Sequence, residues 1–154
     1  MNRKLDTDTQ VFFYEQDFYV LSNFSAFNLR WKGKIFPTSE HAYHWEKFTE
    51  HPQVQYLIEQ APSAHEAFKI AERNKMYRRD FWDTDKGEVM LEILRAKVQQ
   101  HEYVHRKLLA TGERELIEDS WRDDYWGWGP SRDGQNMLGK LWMEIRAELR
   151  RATS

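Results

Sequence analysis

The chain has 154 residues and no cysteine, and its Lys+Arg total of 23 against an Asp+Glu total of 25 gives a formal net charge of -2. That length suits one compact domain, the missing thiols exclude disulfide scaffolds, cysteine nucleophiles and cysteine-ligated zinc, and the balanced charge supplies no whole-molecule field that would draw the protein to nucleic acid or an anionic membrane. The distinctive feature is aromatic content, 15% of residues with seven tryptophans, which suits both a core and the stacking of a planar ligand.

The N-terminal "MNRKLDTDTQVFFYEQ" has no apolar stretch behind its basic residues, and nowhere do about 18 uncharged apolar residues run together. The expectation is a soluble cytoplasmic protein with no membrane partner. Gln10 to Lys34 is rich in Phe, Tyr, Val and Leu, and Gly33 interrupts "LRWKGKIF", so two or three short strands or extended segments joined by turns are expected there. Pro37 and Thr38 then mark a start, with Thr38 as N-cap of a helix from Ser39 to about Thr49.

His51-Pro52 reads as the next N-cap and first helical position, and "SAHE" from Ser63 to Glu66 as a capping box, giving helices over roughly 52–60 and 63–73. "DKGE" from Asp85 to Glu88 repeats the capping pattern ahead of Met90, Ile93, Leu94, Val98, Val104 and Leu108 at helical spacing. One long helix ending at Thr111-Gly112, or two joined near His101, follows. "ERELIEDSWRDDYWGWGPSRDGQN" reads as a polar, aromatic, glycine-bearing loop, a poor core element and a plausible site element. Asn136 caps a last helix with Leu138, Leu141, Trp142, Ile145 and Leu149 in one apolar stripe.

Within "PTSEHAYHWEKF", Glu40, Tyr43 or His44, and Lys47 share one helical stripe, and Lys47 leans back toward Glu40 because helical side chains tilt toward the N-terminus. An acid and an amine on one stripe can flank a small substrate; equally, an acid in the first turn and a lysine near the end simply complement the helix dipole. His41 and His44 stand three apart, a weak metal signal without cysteine or the HExxH order. In "SWRDDYWGWG", Asp123 beside aromatic rings suits acid/base work on a stacked heterocycle, or else a turn in which aspartates accept backbone N–H bonds. "RNKMYRRDFW" clusters Arg73, Lys75, Arg78 and Arg79 before Trp82, which suits a phosphate with a stacked base, or a solvated charged face. No GxGxxG, GxxxxGK[ST] or GxSxG occurs, leaving a dinucleotide fold, a P-loop and a serine-hydrolase elbow unsupported.

Taken together, "LSNFSAF", "WKGKIFPTSEHAYHWEKF", the "FW…K…VM…LRAK" segment, "LLATGERELIEDS", "DDYWGWG" and "GQNMLGKLWMEIR" resemble the NADAR, or YbiA-like, family in order and approximate spacing over about residues 12–149. The resemblance implies a mainly α fold, a single-domain orthogonal helical bundle over residues 1–154 with a small β element near the N-terminus. It implies an N-glycosidase that hydrolyses the N-glycosidic bond of a ribosylated heterocycle, either a phosphoribosylamino-pyrimidine intermediate of riboflavin synthesis or ADP-ribosylated guanine, with modified guanine in nucleic acid as a further partner. The family's catalytic glutamate falls on Glu40, its important tryptophan on Trp82 and the aspartate of its "DxYWG" block on Asp123, with Lys47 as candidate amine.

Glu40 is expected to stabilise positive charge on the sugar or orient water, and Asp123 to supply or relay the proton for the departing amine. The substrate-binding candidates are Asn23, Tyr43, His44, Trp82 and Trp126, the two tryptophans as stacking rings, with Arg73, Arg78 and Arg122 for phosphate. Alternatively Lys47 attacks the sugar C1′ as a Schiff-base amine, which requires its pKa to fall. Neither route requires a metal or an organic cofactor. The segment before Trp82 and the "WGWGPSRDGQN" loop depart from the family pattern and are where substrate choice would be set. A noncatalytic ADP-ribose or NAD-binding module, or an interaction domain anchored by exposed tryptophans, would use the same arginines and rings.

Overall fold

A computed structural model of the chain describes residues 6–14 and 19–153. In chain order the elements are β1 (Gln10–Phe13), a 3-10 turn (Tyr19–Leu21), β2 (Leu29–Trp31), β3 (Lys34–Phe36), α1 (Ser39–Glu46), α2 (Pro52–Glu59), α3 (Ala64–Arg73), a second 3-10 turn (Lys75–Tyr77), α4 (Trp82–Gln100), α5 (Glu102–Ala110), β4 (Glu115–Glu118) and α6 (Met137–Thr153). The described fold is therefore mainly helical with two small two-stranded sheets. It divides into two compact units, Asn23–His101 and the segments that flank it on either side. Among the described residues no helix is long and apolar enough to cross a membrane.

In the Asn23–His101 unit, β2 and β3 pair antiparallel with Leu29 opposite Phe36. Their connection is Lys32-Gly33, with φ of 49° and 81°, the pair of positive values that lets a two-residue loop follow the strand twist. Glu46 at the end of α1 ties this turn down, accepting from Trp31 Nε1 at 2.7 Å and pairing with Lys32 Nζ at 2.8 Å. Phe48, Val54, Ile58, Ala61, Ala67 and Ala71 form a core among the first three helices, with Trp45 and Ile70 packed against it.

The expected caps are present where the cap is local. Thr38 Oγ1 accepts the His41 N–H at 3.2 Å, Ser63 Oγ accepts the Glu66 N–H at 3.1 Å, and Pro52 opens α2. Helix α1 stops at Glu46, short of Thr49, because the Lys47 and Phe48 N–H groups turn back to His44 and Trp45 in a tighter 3-10 pattern. Asp85 does not cap α4: that helix begins at Trp82, after Phe81 at φ 64° and ψ 17° with no side-chain cap. Asp85 lies in the first turn instead, where Arg79 holds it at 2.9 Å and the helix dipole favours its charge. The helical run breaks at His101, at φ -131° and ψ 103°, so the expected alternative of two helices is the one found.

In the other unit, β1 pairs parallel with β4, Val11 opposite Leu116. The small β element is thus not confined to the N-terminus, and the opening of the supposed loop, "ELIE", is a strand with Leu116 and Ile117 buried. Helix α6 crosses β4 so closely that a Cβ on Gly139 would stand 2.0 Å from the Leu116 carbonyl oxygen. Leu138, Leu141, Trp142 and Ile145 are buried along its stripe and Leu149 is half-buried. Trp142 Nε1 donates to the Leu21 carbonyl at 2.9 Å.

Asn136 stands at the start of α6, its carbonyl accepting the Lys140 N–H, but its side chain is not the cap. From a backbone at φ 51° that side chain spans to β4, accepting the Glu118 N–H at 2.9 Å and donating to the Leu116 carbonyl at 2.8 Å. The opening N–H groups of α6 are satisfied by the loop backbone, Met137 by Tyr125 and Leu138 by Trp126.

Candidate active site

The start of α1 is clamped by Asn23. Its carbonyl accepts the Glu40 N–H at 3.1 Å, its Oδ1 accepts the Ser39 hydroxyl at 2.8 Å, and its Nδ2 contacts Met90 Sδ at 3.4 Å. Asn23, expected to bind substrate, is buried and spends these groups on placing Glu40. One turn on, Glu40 Oε2 lies 2.9 Å from His44 Nε2.

Burial lowers the His44 pKa despite the opposing pull of Glu40, so the ring is neutral, with its Nε2–H donated to the carboxylate. Nδ1 is left as a buried acceptor with no partner among the described residues. The ring is boxed edge-on by Tyr43 at 5.2 Å and Phe68 at 5.9 Å. His41, three residues earlier, has both nitrogens engaged, Nδ1 with the Thr38 hydroxyl at 2.8 Å and Nε2 with the Ala61 carbonyl at 3.0 Å. The two imidazoles therefore do not converge on a common point.

Lys47 is 7% exposed. Burial lowers its pKa to about 8, with Glu40 and Glu72 pulling it up and Arg78 and Lys86 pushing it down. Its Nζ sits 5.1 Å from the Tyr43 ring and makes no hydrogen bond or ion pair among the described residues. An ammonium so desolvated and so lightly compensated gives up its proton more readily than an ordinary lysine, which favours a nucleophilic amine. Helical spacing thus places Glu40, Tyr43, His44 and Lys47 on one stripe as expected, and the fold adds the charge of Glu72 on α3, which raises the Lys47 pKa and which no local pattern reveals.

Trp82 is 3% exposed, its ring 5.3 Å from Tyr43 and 5.0 Å from the Arg79 guanidinium carbon. It forms a wall behind the α1 stripe, and little of its ring is open to stack on a ligand. A shallow cleft of about 300 Å³ runs along Lys75, Arg78, Arg79, Phe81 and Trp82 rather than over Glu40. Of the arginines expected to bind phosphate, Arg78 lines that cleft, whereas Arg73 is exposed at the end of α3 and outside it. Arg79, part of the basic run read from the sequence, also lines the cleft, as do Asp80, Phe81, Asp83 and Thr84, and nothing local marked Phe81.

The remaining candidates belong to the other unit. Asp123 Oδ1 accepts the N–H groups of Tyr125 and Trp126, both at 2.8 Å, and its own N–H reaches Ser120 Oγ at 3.1 Å. This is the turn arrangement weighed for it from the sequence. The half-buried Trp126 ring meets Tyr125 edge-on at 4.8 Å, and Arg122 is exposed with its guanidinium 4.3 Å from the Trp121 ring. Among the described residues no three His, Asp or Glu side chains are placed to hold a metal ion together.

The NADAR domain family model matches residues 12–150. The N-glycosidase YbiA of Escherichia coli is 36% identical over 144 residues, 92% of this chain and 89% of that protein. An N-glycosidase of Nostoc punctiforme is 32% identical over 94% of this chain and 95% of its own length. The riboflavin biosynthesis protein VVA0006 of Vibrio vulnificus is 36% identical over 90% of this chain but only 38% of that longer protein. The NMR structure of Escherichia coli YbiA superposes with a TM-score of 0.85 at 35% identity, covering 97% of this chain and 90% of that one.

Proposed function

The chain belongs to the NADAR domain family, and from that membership we propose that it is an N-glycosidase, a hydrolase of N-glycosyl bonds, whose substrate is a ribosylated heterocycle. The observation that carries the assignment of residues is the α1 stripe: Glu40 joined to neutral His44 at 2.9 Å, beside a buried Lys47 amine whose pKa has fallen to about 8.

In the direct route, a water oxygen bonds to C1′ as the bond from C1′ to the base nitrogen breaks, and that nitrogen takes a proton. The Glu40 carboxylate stabilises the positive charge that grows on the sugar, and the His44 Nε2–H holds that carboxylate in place. In the second route Lys47 Nζ bonds to C1′ as the C1′–base bond breaks and the base leaves with an amine proton; the C1′–O4′ bond then opens, O4′ taking the remaining Nζ proton to give a C1′=Nζ imine, and water hydrolyses that imine to return the free lysine and the sugar. The desolvated, unpaired amine favours the second route, since a lysine serving only the helix dipole would keep its ordinary pKa in water.

A relative named as a riboflavin biosynthesis protein supports a phosphoribosylamino-pyrimidine of riboflavin synthesis as substrate; an ADP-ribosylated guanine base is the second class proposed, and the proposed setting is cytoplasmic. Asp123 enters as the organiser of its loop and, in the same proposal, as a relay for the leaving-group proton. An assay offers both substrate classes to the purified protein and reads free base and free ribose phosphate or ADP-ribose. Release from one class names the substrate; release from neither overturns the glycosidase reading. Borohydride added during turnover reduces a Lys47 imine to a stable adduct visible by mass spectrometry, and its absence leaves only the direct route.

A further inference from the structure

Phe81 combines three properties that do not belong together in an ordinary loop residue. Its backbone is left-handed, at φ 64° and ψ 17°, a conformation glycine adopts freely and a bulky residue avoids. Its side chain is 78% exposed, so burial gives nothing back for that strain. What the backbone needs here is only a carbonyl for the Thr84 and Asp85 N–H groups that open α4, and glycine would supply it equally well.

The property Phe81 has and glycine lacks is an open aromatic ring, and Phe81 lines the cleft together with the cations Lys75, Arg78 and Arg79 and the acids Asp80 and Asp83. Strained residues of this kind concentrate at functional sites. We propose that Phe81 is a specificity-determining residue: its ring stacks on the planar heterocycle of the substrate while Arg78 and Lys75 take the phosphate. The stacking role expected of Trp82 falls to its neighbour because the Trp82 ring is closed off by Tyr43 and Arg79. This inference rests on the glycosidase reading for the substrate, but aromatic face and cations together match any ribosyl phosphate that carries a flat base.

The test uses two probes, guanosine monophosphate and ribose 5-phosphate, which share a phosphate and differ in the base, titrated by calorimetry into wild type, Phe81→Gly and Phe81→Leu. Both variants weaken guanosine monophosphate binding by about fivefold to a hundredfold and leave ribose 5-phosphate unchanged, while Phe81→Gly melts above wild type because the left-handed strain is gone. Unchanged nucleotide affinity in the variants, equal losses for both probes, or no nucleotide binding by wild type overturns the role of Phe81. Base release measured on the same three proteins separates the two readings. Normal release with unaltered nucleotide affinity in the variants removes Phe81 and keeps the glycosidase, whereas loss of release in wild type removes the glycosidase alone.

Discussion

Arg79 closes the end of the helix that carries Lys47: its peptide N–H donates to the Lys47 carbonyl at 2.7 Å, and its Nε donates to the adjacent Glu46 carbonyl at 3.0 Å. The same side chain reaches Asp85 in the first turn of α4 and lies over Trp82. One residue therefore fixes both the amine-bearing turn and the wall behind it.

Arg79→Ala is expected to cost about 1–3 kcal/mol of stability, from the lost charge-assisted hydrogen bonds and the lost guanidinium–indole contact, measured by urea unfolding. The Lys47 carbonyl keeps its partner, because that bond comes from the main chain. Arg79→Lys restores the charge but not the planar fork, and is expected to recover less than half of the loss.

Lys47→Met is expected to stabilise the protein while removing activity. A fall in pKa from 10.5 to about 8 corresponds to about 3 kcal/mol spent on keeping the ammonium buried, and methionine fills similar space without a charge. The sign follows from proton counts. Between about pH 8 and 10.5 the unfolded chain holds the Lys47 proton more often than the native one, so wild-type stability rises with pH across that window. The advantage of Lys47→Met is full below pH 8 and shrinks toward pH 10.5. Urea titrations of both proteins at several pH values check this, and a constant gap sinks it.

Glu40→Gln retains an oxygen that can accept the His44 Nε2–H, so stability is expected to change by less than about 1 kcal/mol, while base release falls by about 10²–10⁴-fold. Glu40 raises the Lys47 pKa, so removing its charge lowers that pKa further. The acid limb of borohydride trapping in Glu40→Gln is expected at lower pH than in wild type. A pure binding module would instead show no base release in either form.

Asp123→Asn keeps one side-chain oxygen for the Tyr125 and Trp126 N–H groups, whereas Asp123→Ala leaves both without it. If Asp123 only organises its loop, Asn retains most activity and Ala does not, with a loss of stability of about 1–2 kcal/mol in Ala alone. Comparable losses of base release in both variants, with normal stability in Asn, would assign the carboxylate to proton transfer.

What was legible in the sequence is what depends on neighbours a few residues apart. Thr38, Ser63 and His51-Pro52 mark helix starts because a cap and its target lie within one turn, and Glu40, His44 and Lys47 share a stripe because helical periodicity puts them there. The start of α4 was misread at Asp85 because the actual start is a phenylalanine in a conformation that capping rules assign to glycine or asparagine. Strand β4 was hidden inside a loop-like composition because its partner, β1, is remote in the chain. The same limit governs the site: the burial of Trp82 by Tyr43 and Arg79, and the approach of Glu72 to Lys47, are made by packing between elements and leave no periodic trace.

The pairing of β1 with β4 also sets an order of events in time. Gln10 and Glu115, which face each other in the ladder and share a 2.9 Å side-chain bond, are separated by 105 positions. At a synthesis rate of about 5–20 residues per second, β1 waits on the order of 5–20 s for its partner strand to be made. The groups that place Glu40, by contrast, come from Asn23 and His44 and are all available early. A nascent chain therefore holds the pieces of its α1 stripe well before its first strand has anything to pair with, and for that interval the open edge of β1 is the part exposed to wrong partners.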